Sequence, residues 1–138
     1  MLNHCRNVWS PVLFSCLLAG CGEVAYEDDV QPIFTASCAN SLCHDGDVDD
    51  PDVGEELNLT AGASYAAIVG VASAQLPEMN LVEPGDPDAS YLWHKLNDTQ
   101  DDVGGDGGCM PYLLCASLTD KELQTVEDWI ADGALETP

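Results

Sequence analysis

Apolar positions recur with helical spacing in four stretches of the 138-residue chain. Val30, Ile33, Phe34 and Cys38 fall at i, i+3, i+4 and i+8, which places them on one face of a helix. A first helix is therefore expected from Asp28 or Asp29 to Ser37, with Pro32 tolerable near its first turn. In "ASYAAIVGVA" (63–72), Tyr65, Ile68 and Val69 form the inward face of a second. "ASYLWHKLN" (89–97) is expected to form a third, capped by Asp88. The fourth is the clearest. Thr119 and Glu122 spell a capping box, Leu123, Val126 and Ile130 line one face, Trp129 flanks it and Gly133 ends it. No segment alternates strongly enough to predict a strand, and no repeat is present. The expected class is all-α.

What lies between the helices changes the picture. "HDGDVDDPDVGEE" (44–56) and "DTQDDVGGDGGCMPYLLCAS" (98–117) are rich in Asp and Gly and are expected to be loops. A small domain over residues 28–138 with loops of that length needs something besides its own helices to pack on. That is a structural argument for a buried cofactor.

Residues 1–20 carry one basic residue, Arg6, no acid, and the apolar run "VWSPVLFSCLLAG". The run is too short for a permanent membrane span and reads as an export signal. Leu18-Ala19-Gly20-Cys21 resembles the lipobox of bacterial lipoproteins. That resemblance implies a signal peptide over 1–20, a lipidated Cys21, a short tether over 21–27 and anchorage in the cell envelope. Gly22, in place of the Asp that retains such proteins, implies the outer membrane. All 25 acids lie beyond residue 20, with only Lys95 and Lys121 against them, so residues 21–138 carry a formal charge of −23. Such a charge argues against nucleic acid and favours a partner with a basic docking surface.

Export permits disulfides, and four cysteines remain besides Cys21: Cys38, Cys43, Cys109 and Cys115. Cys109 and Cys115 are expected either to form a disulfide or to stay as two buried thiols. Cys38 and Cys43 sit in "CANSLCH", directly before His44. A disulfide beside a bystander histidine and a zinc site are two readings of that stretch. The third is covalent haem. Two thiols add across the porphyrin vinyls, and an imidazole next to the second thioether falls under the iron. The Cys43-His44 adjacency is the strict part of that motif, and the span between the thiols only has to bridge the vinyls.

The ordered set "VQPIFTASC…CH", "LVEPGDPDASYLWHKL", "CMP" and "LTDKELQTVEDWIADGA" resembles the cytochrome-c-like domain of exported bacterial proteins, over roughly Val30 to Ala134. The resemblance implies a small helical domain wrapped around one covalent haem c, with thioethers at Cys38 and Cys43, His44 as proximal iron ligand and Met110 as distal ligand. It implies one-electron transfer with a redox partner protein. A haem ligated on both faces leaves no open position for substrate, so an electron carrier is expected rather than an enzyme. Met79 and His94 are the competing ligands. Trp93, Trp129, Tyr65, Tyr91 and Tyr112 are expected to pack the core or the haem.

A different class of function competes. Asp45, Asp47, Asp49 and Glu56 occupy positions 1, 3, 5 and 12 of an EF-hand loop, but Asp50 stands where Gly is needed for the turn. A solvated acidic loop is the preferred reading. The alternative function is a non-haem, disulfide-stapled calcium-binding or interaction domain. No nucleophile–base arrangement or paired carboxylates stand out.

Overall fold

A computed structural model of the chain describes residues 24–40, 43–46, 57–111 and 118–137. The leader, Cys21, the loop acids Asp47, Asp49 and Glu56, and Tyr112 and Cys115 lie outside these residues. Among the described residues the protein is helical, with isolated β-bridges and no strand. No helix among them is long and apolar enough to cross a membrane.

A π-helical turn, Tyr26–Val30, leads directly into α1, Gln31–Ser37. The helix thus begins earlier than the spacing of Val30, Ile33, Phe34 and Cys38 predicts. The added residue Tyr26 is fully buried, as are Val30 and Phe34, and Ile33 and Cys38 are buried beside them. α2, Ser64–Ile68, is half the expected length. Val69 turns to extended backbone and Gly70 takes φ +68°, which a β-branched residue would resist. The chain from Val69 then runs beside Asn80–Val82, bridged at Val69–Val82 and Ala72–Asn80.

α3, Tyr91–Leu96, follows a 3-10 turn, Pro87–Ala89. Asp88 is not its cap. Asp86 accepts from the Ala89 amide at 3.1 Å and caps the 3-10 turn, because Pro87 starts a turn of its own. A second 3-10 turn, Gln100–Val103, lies inside the long Asp/Gly segment. α4, Asp120–Ala131, has the expected capping box: Thr119 Oγ1 accepts from the Glu122 amide, and the Glu122 carboxylate accepts from the Thr119 amide at 2.7 Å. Trp129, expected at the flank, is buried with Val126 and Ile130.

The first and last helices meet in an aromatic group. The Tyr26 ring lies 5.1 Å from Tyr65, 5.0 Å from Trp129 and 6.3 Å from Phe34, centroid to centroid. Each such side chain contributes about 1.5–3 kcal/mol on burial, with about 0.5–1.5 kcal/mol more per well-oriented pair. The polar atoms here are satisfied. Tyr26 Oη donates to Ser64 Oγ at 2.7 Å, Ser64 donates to Gln31, and Gln31 Nε2 donates to the Leu59 carbonyl at 3.1 Å. Trp129 Nε1 donates to the Leu135 carbonyl and Tyr65 Oη to that of Ala134, each at 2.9 Å, which folds the segment after Gly133 back onto α4.

Candidate cofactor cavity

α1 ends at the site. The Cys38 amide donates to the Phe34 carbonyl at 2.8 Å, so Cys38 continues the buried face of the helix. The Cys38 carbonyl then accepts from two later amides, Asn40 at 3.1 Å and His44 at 3.0 Å. His44 therefore returns to the end of α1. The His44 carbonyl accepts from the Leu59 amide at 2.9 Å, and Asp45 bridges to Asn58. Gly46 permits this closure: it has φ +77°, and a Cβ there would lie 2.4 Å from the Asn58 amide nitrogen.

Cys38 and His44 open onto a cavity of about 480 Å³, and Met110 lies on the same wall lining. The volume falls within the about 300–1,000 Å³ of small-molecule and cofactor sites. Leu59, Leu81, Leu92 and Leu96 supply much of the apolar wall, and Ser73, Gln75, Tyr91 and Lys95 form a polar side. Cys43 is half-buried and is not part of the lining, although it directly precedes His44.

Both thiols of the pair are free, so they are not bonded to each other. Burial pushes the Cys38 thiol up to about 12, with a smaller contribution from the neighbouring Cys43. Cys38 is thus held as the neutral thiol, and the less buried Cys43 is the more accessible of the two. Cys109, next to Met110, is disulfide-bonded. Since Cys38 and Cys43 are free, its partner lies outside the described residues.

The competing ligands sit elsewhere. Neither His94 nor Met79 lines the cavity. The His94 ring is occupied at both nitrogens, by Thr99 Oγ1 and by the Asp88 carbonyl, each at 2.9 Å. That makes it a brace between α3 and its flanking turns. Trp129 and Tyr65 belong to the aromatic core, and Trp93 packs half-buried against the hydrophobic core as a whole. Tyr91 does line the cavity, but its hydroxyl is engaged with Gln75 Oε1 at 3.0 Å and with Asp106. Among the described residues, no three His, Cys, Asp or Glu side chains gather as a metal cluster.

The feature that sequence reasoning missed is the polar side. Lys95 is only 5% exposed, although it is one of three basic residues in the chain. Its position four residues after Tyr91 on α3 was the one signal of it, since that spacing stacks the two on one helix face.

The chain matches no protein-family model, no curated protein and no solved structure.

Proposed function

We propose that the protein is a monohaem c-type cytochrome that transfers single electrons at the cell envelope, tethered there by a lipidated Cys21. The observation that carries this reading is that Met110, 66 positions beyond His44, lines one largely apolar cavity with Cys38 and His44. A thiol, an imidazole and a thioether around an apolar void are the donor set of a covalently attached, axially ligated haem.

In this reading Cys38 and Cys43 hold the group by thioethers, His44 is the proximal ligand and Met110 the distal ligand. The haem supplies a one-electron couple. The chain's own residues do the rest. The leucine wall excludes water, which disfavours net charge at the buried centre. A thioether donor favours the reduced metal and raises the potential. The 25 carboxylates oppose that rise, and they steer a basic partner toward the domain at low ionic strength.

The test is chemical. The full chain is expressed in a host with cytochrome c maturation machinery. It should then gain the mass of a haem that survives acid-acetone extraction, and show a low-spin spectrum that His44→Ala destroys. Extractable haem, or none, would sink the reading. Loss of the far-red methionine-to-iron band in Met79→Ala instead of Met110→Ala would reject the distal assignment alone.

A further inference from the structure

The segment that carries Met110 is not held by its own sequence. It is rich in Gly and Asp, and residues 104–110 form no helix. Gln100 holds its start, its carbonyl accepting from the Gly105 amide at 2.8 Å and its Nε2 donating to the Gly107 carbonyl at 3.2 Å, the disulfide of Cys109 anchors its end, and α3 spans it. The Lys95 carbonyl accepts from the Met110 amide at 2.8 Å, and Lys95 Nζ donates to the Asp106 carbonyl at 3.0 Å. One residue thus grips the segment at both ends. Tyr91, one turn earlier, adds a second hold at the same place, its hydroxyl accepting from the Asp106 amide at 3.2 Å. Gly105 makes the approach possible, because a Cβ there would lie 2.5 Å from the Tyr91 ring and hydroxyl.

A buried ammonium is costly unless its protons are taken up. Lys95 is only 5% exposed; its Nζ donates to the Asp106 carbonyl and lies 5.8 Å from the centre of the Tyr91 ring. The segment that this hydrogen bond closes ends at Met110.

We propose that Lys95 is the positioning residue for Met110: its ammonium and its carbonyl clamp residues 106–110 and so set how much of the time the thioether stands in the cavity. This rests on the haem reading of Met110. Lys95 acts on the distal ligand through the segment, while His44 is held independently of it, by the backbone of Cys38 and Leu59.

The test uses the full haem-bearing chain and reads the affinity of the ferric protein for added imidazole, which competes with Met110. A ligand that binds only the open form gains apparent affinity in proportion to the open fraction. Lys95→Met keeps the carbonyl and the aliphatic stem and removes the charged hydrogen bond. It should raise imidazole affinity about tenfold or more and weaken the far-red band. Lys95→Arg should restore most of both. Tyr91→Phe, which keeps the buried ammonium, should raise the affinity by a few-fold. In the haem-free chain, exchange of the Met110 amide should accelerate in Lys95→Met. A purely structural lysine would lower the melting temperature and leave imidazole affinity below the melt unchanged. That result in both Lys95→Met and Tyr91→Phe, with covalent haem and the far-red band present in the unaltered protein, overturns the clamp and leaves the cytochrome reading intact. An unaltered chain without covalent haem overturns both.

Discussion

The two halves of the domain are filled in different ways. Where the first and last helices meet, Tyr26, Phe34, Tyr65 and Trp129 occupy the space themselves, and the polar atoms of Tyr26, Ser64 and Gln31 satisfy one another. At the other end, leucines and alanines line about 480 Å³ that no side chain fills. Side chains that border an open space have no partner atoms on that side, so these walls make fewer contacts than the aromatic core does. The aromatic half is a core that needs only the chain.

If the cavity holds a haem as proposed, removing it should separate the halves most strongly. Hydrogen exchange of the haem-bearing and haem-free chains is the measurement. Protection around Leu59, Leu81, Val82 and Leu92 should fall sharply without haem, while protection in α1 and α4 should largely persist. Equal loss in both halves would mean that the aromatic core does not stand alone.

Core truncation tests the same contrast from the other side. Trp129→Ala should destabilise the haem-free chain by about 3–5 kcal/mol, because it opens a hole among packed rings. Leu81→Ala should cost only about 1–2 kcal/mol there, since Leu81 already faces a void on one side. Urea denaturation of both variants decides it. Comparable losses would show the cavity walls to be better packed than their lining implies.

Tyr26 gives a pH signature to the aromatic half. Burial pushes its phenol up to about 12, opposed in part by the hydrogen bond to Ser64. The folded state then holds this proton more tightly than the unfolded chain does. Its contribution is fully present below about 10 and is lost as the pH rises from there to about 12. Tyr26→Phe should flatten that alkaline slope, and should cost about 1–3 kcal/mol at neutral pH by leaving Ser64 Oγ without the proton it accepts. A slope that survives the substitution would assign it to other groups.

The smallest effect belongs to the start of α4. Thr119→Ala should lower stability by about 1 kcal/mol. The backbone and hydroxyl of Thr119 hold the Glu122 carboxyl below its ordinary range. Its contribution is therefore present above the unfolded carboxyl range and disappears on acidification through the folded value. Thermal melts between neutral and acid pH should show the variant losing less than the parent.

Much of this architecture is legible in the order of residues alone. Val30, Ile33, Phe34 and Cys38 are buried as their spacing demands, and the Thr119–Glu122 box starts α4. Both are local: a period of 3.6 and a cap three residues long are written in contiguous residues. The helix that failed, α2, failed for a reason outside its own pattern. Its apolar run continues to Ala72, but pairing with Asn80–Val82 offers the backbone beyond Val69 other partners. The capping error has the same origin, since Pro87 makes Asp86 the residue that faces an open amide.

The candidate site divides likewise. Residue chemistry singled out Cys38, Cys43 and His44, and the resemblance to cytochrome-c-like domains added Met110 as the expected distal ligand. That Cys38, His44 and Met110 border one cavity while Met79 and His94 do not was decided by tertiary structure, since 66 positions separate His44 from Met110 and no periodicity links them. Lys95 is the sharpest case. In the sequence it is one of two cations in an acidic domain, set apart from Lys121 only by its spacing of four from Tyr91. Only the fold puts it inside, because burial of a charge depends on which carbonyls and rings the rest of the chain brings to meet it. Composition, helix faces and caps follow from neighbours along the chain. The cavity, its polar side and the clamp on Met110 follow from neighbours in space.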